Sequence, residues 1–198
     1  MEEMSLKAKE QYFDRWAGRY DGFWTSLLYR WCHRRLLSHV LPPAEALDLG
    51  CGTGRLLGLL ADRWGGMRGM GLDLSGQMIV QARLGNCHRE RLDFLQAGVQ
   101  PLPFADGRFD ALFCTFSFQH YPNPEGVLGE ISRVLRPGGR FYWAEASPRT
   151  GQARLKMTPG GIRLYSPECR AQLGLEAGLG CAAHHQLFGP VLLSVLVR

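Results

Sequence analysis

The sequence predicts a doubly wound α/β domain: a Rossmann-like, mostly parallel sheet with N-terminal helices and a C-terminal antiparallel hairpin. Three observations predict it. Apolar strand-like runs alternate with helical patterns from residue 44 to 145, the order that builds a parallel sheet through right-handed crossovers. The first strand runs into Gly50-Cys51-Gly52-Thr53-Gly54 just ahead of a helical pattern, where nucleotide-binding α/β folds place their ligand turn. Residues 180–187, a Gly189-Pro190 turn and the apolar run 191–197 read as two strands of a hairpin.

Each element has its own signal. Tyr12, Phe13, Trp16, Tyr20, Phe23 and Trp24, then Leu27, Leu28, Trp31, Leu36 and Leu37, recur at helical spacing and predict two helices before Pro42-Pro43, because proline removes a donor and moves its predecessor out of the α region. A strand follows over 44–49, then a helix over 53–64, a strand over 67–72, a helix over 75–84 and a short strand near 94–97. The second set is a strand over 109–116, a helix over 125–135, the turn Arg136-Pro137-Gly138-Gly139 and a strand over 140–145. Residues 146–164, rich in Pro, Gly, Thr and Arg, predict a surface loop or lid before a helix over 166–177 and hairpin strands over 180–187 and 191–197. The expected organisation is one domain, with a helical cap over 1–41, a cofactor-binding core over 42–145 and a lid loop, helix and hairpin over 146–198.

Composition sets the bounds. A chain of 198 residues, 45% hydrophobic and 21% charged, can build one substantial core that hides about 70% of its unfolded surface. No apolar run approaches the roughly 18 residues of a membrane span, and the polar start lacks the apolar core of a signal peptide, so the expectation is a soluble cytoplasmic protein. The six cysteines are scattered without C-x-x-C or zinc-ligand spacing, which predicts reduced thiols and no metal site. A net charge of +5 is compatible with an anionic partner without requiring one.

The chemistry gathers at the strand ends. Glycine lacks the Cβ that blocks positive φ and close approach, so three glycines in five residues point to a nucleotide-like group against the backbone. Dinucleotide turns space them G-x-G-x-x-G; here the spacing is G-x-G-x-G, and Asp48 beside it would repel a pyrophosphate and attract a cation. Asp73, 19 residues beyond Gly54, can accept both hydroxyls of a ribose, while Ser75 offers the helix cap that Asp73 would otherwise supply.

These residues resemble the class I S-adenosylmethionine-dependent methyltransferases, and within them the small-molecule branch of ubiquinone and menaquinone biosynthesis. Four segments carry the resemblance over residues 44 to 145: Leu47-Asp48-Leu49-Gly50-Cys51-Gly52-Thr53-Gly54; Gly71-Leu72-Asp73-Leu74-Ser75 with Met78; Leu102-Pro103-Phe104 before Phe109-Asp110; and Arg133-Val134-Leu135-Arg136-Pro137-Gly138-Gly139. Each is weak alone, and the set in order is specific.

The resemblance implies S-adenosyl-L-methionine as cofactor and S-adenosyl-L-homocysteine as product. It places Asp48, Gly50, Cys51 and Gly52 at the amino-acid end of the cofactor, Asp73 at the ribose, and Leu74, Met78, Gly98 and Val99 around adenine. Thr115 and Phe116 then line the methionine portion. Family members usually carry an Asp about four residues before Leu-Pro-Phe; this chain has Gly98 there, which removes one expected contact to the adenine amino group. Trp-Ala-x-x-Tyr-Asp over 16–21 resembles the family's helix over the cofactor and nominates Tyr20 to face the sulfonium. His120 is the candidate general base, with a structural role open, and Trp143, Arg163 and Tyr165 are candidate acceptor liners. Methyl transfer from a sulfonium disperses charge, so alignment and water exclusion carry much of the catalysis and an obligatory catalytic side chain is not required.

The expected partner is a small-molecule acceptor. Methylation of tRNA or protein, a noncatalytic cofactor-binding regulator and a peripheral membrane contact stay open, nucleic acid being disfavoured because the compact chain has no appended recognition domain. Glycine spacing and Asp48 disfavour a nicotinamide oxidoreductase.

Overall fold

In this computed structural model the backbone is described for residues 6–20, 23–155 and 161–198, and the side chains for 7–15, 29–155 and 161–198. Two helices, α1 (Leu6–Tyr20) and α2 (Phe23–Leu37), precede the sheet. The parallel part follows as β1 (Glu45–Leu49), α3 (Arg55–Arg63), β2 (Arg68–Asp73), α4 (Gly76–Gly85), β3 (Leu92–Gln96), β4 (Phe109–Thr115), α5 (Pro124–Val134) and β5 (Leu135–Ala146). The chain ends with β6 (Gln152–Leu155), β7 (Ile162–Tyr165), α6 (Pro167–Glu176), β8 (Gly180–Phe188) and β9 (Val191–Val197).

Seven strands form one sheet in the order β3-β2-β1-β4-β5-β9-β8. β1 to β5 run parallel, and β9 is antiparallel to both β5 and β8. Strand order reverses between β1 and β4, and in open α/β sheets that reversal splits the loops apart and leaves a crevice at the carboxyl ends. The glycine turn after β1 and the 115–121 segment after β4 stand on its two sides.

Strand alternation sorts the core. Leu47, Leu49, Leu112, Phe141 and Trp143 pack with Leu128 and Ile131 of α5, while Ala46, Phe113 and Tyr142 pack with Leu36 of α2, Leu57 and Leu60 of α3 and Ile79 of α4. Asp48 shares the parity of Ala46. Helix starts follow local capping: Ser75 Oγ accepts from Met78 N at 3.1 Å, and Asn123 and Ser166 cap helices that open on Pro124 and Pro167.

Three expectations are corrected. The Arg136–Gly139 turn lies within β5: Phe109 pairs with Leu135 and Ala111 with Arg140, so the extra residues bulge out of the ladder. Part of the expected loop over 146–164 is the β6–β7 hairpin, with Gln152 opposite Tyr165 and Leu155 opposite Ile162. Trp143 and Tyr165 are not surface liners of an acceptor site, being 0% and 2% exposed; alternation turns Trp143 inward, where its ring lies 4.1 Å from that of Phe118 and 5.6 Å from that of Tyr165.

Candidate cofactor site

Gly50, Gly52 and Gly54 have φ of 69°, 53° and 74°, a region glycine enters at no steric cost. At Gly50 space is as decisive as conformation, since a Cβ there would lie 1.9 Å from Ser117 Oγ. The turn hangs on the end of β2. Gly50 N and Cys51 N both donate to the carbonyl of Leu72, at 2.7 and 3.0 Å. Gly52 N donates to Asp73 Oδ2 and Ser75 N to Asp73 Oδ1, each at 2.9 Å. Asp73 therefore braces two loops while standing in the cleft. Burial raises its pKa, and those amides oppose the shift.

The cleft, its open mouth included, spans about 800 Å³. Gly50, Gly52, Asp73, Leu74, Met78, Gly98 and Val99 line one part, and Thr115, Phe116, Ser117, His120 and Tyr121 the other. α1 lies across it and is fastened at two loops and at the end of β3. Ser75 Oγ donates to Asp14 Oδ1 at 2.5 Å, Gln96 Nε2 to Glu10 Oε1 at 3.0 Å, and Lys9 Nζ to the His120 carbonyl at 2.9 Å. Phe13 and Lys9 contribute to the lining, and the Phe13 ring meets His120 edge-on at 5.3 Å. The Tyr20 side chain lies outside the described residues.

Phe116 has a left-handed φ of 56°, a conformation that costs a non-glycine residue about 1–3 kcal/mol and is concentrated at ligand sites. Its amide donates to the Ala144 carbonyl at 2.8 Å, which fixes the strained peptide against β5. His120 is pushed down to about 4, first by burial and then by Lys9, so its imidazole is neutral at pH 7 and a weak base there, because an efficient general base has a pKa near the working pH. Its Nε2 lies 3.4 Å from Gln119 Nε2.

Asp48 stands elsewhere. It is buried beneath the turn, lines neither the cleft nor the smaller cavity beside it, and its Oδ1 has no hydrogen-bond partner among the described residues. Burial, with the charge of Asp73 second, raises it to about 8. Cys51 is buried and lines that smaller cavity, its thiol held well above its ordinary value by burial. Arg163 donates to the Tyr121 carbonyl at 2.8 Å, tying β7 to the rim of the cleft. Among the described residues no group of three or more His, Cys, Asp or Glu could hold a metal ion.

Comparison with known proteins accounts for this arrangement. The methyltransferase domain family matches residues 47–143. A demethylmenaquinone methyltransferase of Thermus thermophilus is 37% identical over 142 residues, which is 69% of this chain and 64% of the relative. The chain belongs to the class I S-adenosylmethionine-dependent methyltransferases. A fatty-acid O-methyltransferase of Mycolicibacterium smegmatis is 38% identical over 109 residues, 53% of this chain and 38% of the relative. The chain thus spans less than two thirds of the length of either curated relative. Among solved structures, a Burkholderia thailandensis 1,6-didemethyltoxoflavin-N1-methyltransferase with bound S-adenosylhomocysteine superposes with a TM-score of 0.79 at 21% identity, covering 96% of this chain and 87% of that one. At that identity the likeness carries the fold.

The residues of this methyltransferase domain fit the family's cofactor: the turn has no Cβ where a ligand must approach, and Asp73 presents a carboxylate in the cleft. The structure brings Gly50, Gly52, Asp73, Leu74, Met78, Gly98, Val99, Thr115, Phe116 and His120 to one cleft. Lys9, Phe13, Ser117 and Tyr121 join them without having been singled out. Only Phe13 had a signal, as part of the aromatic helical pattern.

Proposed function

We propose that this methyltransferase domain transfers a methyl group from S-adenosylmethionine to a small-molecule acceptor of the quinol or phenol class. The observation that carries the reading is the cleft at the sheet's reversal point, floored by the glycine turn, braced by Asp73 and roofed by α1. The acceptor class rests on the demethylmenaquinone methyltransferase relative and on a roof that leaves an interior rather than an open surface.

When bound, the cofactor supplies a methyl group on a positively charged sulfur. Gly50 and Gly52 would hold its amino-acid end, Asp73 its ribose, and Leu74, Met78, Gly98 and Val99 its adenine. Met78 is both buried and in the lining, so it packs the core and the ligand together. Phe116 and Tyr121 exclude water from the reacting region, where displacement needs alignment more than a charged side chain. A phenolic acceptor must lose a proton, and the neutral imidazole of His120 in the cleft would accept a hydrogen bond from its hydroxyl without keeping the proton at pH 7, since burial and Lys9 disfavour the imidazolium.

The test is calorimetric titration of the protein with S-adenosylmethionine, followed by transfer of labelled methyl to quinol, fatty-acid and tRNA pools. Binding is expected, with label in the quinol pool. Asp73→Ala should weaken binding by more than about 1 kcal/mol, since a ribose acceptor and two loop braces go together. Absence of binding would sink the donor assignment, and binding without label in any pool would sink the catalytic one.

A further inference from the structure

The charges of α1 are sorted between two sides of the helix. Glu10 and Asp14 stand four residues apart and so share one side, where they meet Gln96 and Ser75 beside Leu74 and Asp73 of the cleft. Lys9 and Phe13, also four apart, meet His120: Lys9 Nζ donates to its carbonyl at 2.9 Å, and the Phe13 ring packs edge-on against the imidazole. Arg163 of β7 reaches the same segment and donates to the carbonyls of Tyr121 and Pro122. Three successive carbonyls, those of residues 120–122, thus draw cations from two separate elements to one end of the cleft.

That end carries no negative charge of its own. Of the described residues lining the cleft, Asp73 is the one carboxylate and Lys9 the one ammonium, and Asp73 is already met by the amides of Gly52 and Ser75. The rest of the His120 end is Phe13, Phe116, Pro122 and Tyr121, whose phenol burial keeps protonated, with the imidazole itself neutral. A cation set in such a wall attracts an anion more strongly than it would in open water, because its surroundings screen it less. His120 does not keep a proton, so a hydroxyl acceptor that ionises here needs a positive charge beside its oxygen.

We propose that Lys9 selects the ionised form of the acceptor, pairing its ammonium with a phenolate or enolate oxygen at the His120 end of the cleft. The proton leaves to solvent as the acceptor binds, so no side chain has to hold it. This role of Lys9 rests on the methyl-transfer reading above and narrows the acceptor to hydroxyl compounds acidic enough to ionise near neutral pH. It also gives α1 a part in recognition as well as in covering the cleft, since the charge is in place only when the helix lies across.

The test titrates protein saturated with S-adenosylhomocysteine with 4-nitrophenol, whose ionised form absorbs visible light, and with its neutral methyl ether, 4-nitroanisole. At pH 7 the wild type should bind the phenol about tenfold more tightly than the ether, the worth of one charge-assisted hydrogen bond, and the bound phenol should be more ionised by absorbance than the free one. Lys9→Gln keeps a donor for the His120 carbonyl and removes the charge; it should abolish the preference and the spectral change while S-adenosylhomocysteine affinity stays within about twofold. Lys9→Arg should restore both, and His120→Asn should keep the ionised form. Equal affinity for phenol and ether in the wild type, or binding of neither, would overturn the proposal. So would a preference that survives in Lys9→Gln, which assigns the charge to Arg163, or an ionised form lost in His120→Asn, which assigns it to the imidazole. Loss of S-adenosylhomocysteine in Lys9→Gln would overturn it by making Lys9 a support for the roof. A wild type that does not bind S-adenosylhomocysteine would remove the donor reading and the role of Lys9 with it.

Discussion

The turn joining β1 to α3 and the interior beneath the His120 turn are both rich in polar groups, yet they are built in opposite ways. In the turn, backbone amides of Gly52 and Ser75 meet one carboxylate, Asp73, that stands in the cleft. In the interior, Arg170 of α6 is 0% exposed and donates to the carbonyls of Trp143, Glu145, Tyr165 and Leu192 while its guanidinium lies 4.8 Å from the Trp143 ring. Glu145, also 0% exposed, accepts from Gln119 N at 3.0 Å and leaves Oε1 without a partner among the described residues. Arg170 bonds the carbonyl of Glu145 and not its carboxylate. The difference teaches that the ligand side is kept open by backbone geometry, whereas the loop carrying His120 is held from below by a sealed knot of charge.

The largest expected effect breaks that knot. Arg170→Met should cost about 3–5 kcal/mol of stability in chemical denaturation, because it strands several carbonyls and a buried carboxylate. Donor affinity of the folded fraction should stay within about twofold, since Arg170 touches nothing in the cleft. A stability loss below about 1 kcal/mol would erase the contrast between the regions.

A smaller effect follows from titration. Glu145 is raised to about 7, by burial against the opposing influence of Arg170, and Asp48 to about 8. For a carboxylate raised on folding, the stabilising contribution is full below its ordinary pKa and is lost as pH rises through the folded value. Stability of the ligand-free protein should therefore fall by about 1–3 kcal/mol from pH 5 to above pH 8. Glu145→Gln should flatten the fall below about pH 7 and Asp48→Asn should flatten it up to about pH 8, the folded values that close each window. A wild-type stability that rises over this interval, or a double variant with an unaltered slope, would refute the assignment.

The smallest effect sharpens the open side. A Cβ at Gly98 would meet nothing within 4 Å, and its φ is not positive. Gly98→Asp is expected to fold normally and to tighten S-adenosylmethionine by about threefold, one added hydrogen bond's worth. Unchanged or weaker binding by calorimetry would show that adenine does not reach this edge.

The same contrast explains what could be read in advance. Glycine spacing, Asp73 and the alternation of elements are local, so the sheet, the turn and the convergence of most of the cleft's lining residues were legible. Ser75 as the α4 cap was legible for the same reason. Arg170 and Glu145 gain their roles from contacts across distant segments; Arg170 meets Trp143 across 27 positions. No local pattern encodes such meetings. Trp143 misled because an aromatic near a strand end resembles a liner, and only β5 register reveals which face it takes. The bulge over 136–139 escaped because Pro-Gly-Gly is the vocabulary of turns as well as of interrupted strands.

The fastenings of α1 also bear on how a product would leave. Asp14 Oδ1 accepts from Ser75 Oγ and from Gln77 N, Glu10 Oε1 accepts from Gln96 Nε2, and Lys9 Nζ donates to the His120 carbonyl. These bonds tie one helix to three separate segments of the chain, and each contributes about 0.5–1.5 kcal/mol. A product held beneath α1 would leave only as those bonds part, which makes their opening a step that can pace turnover alongside bond making.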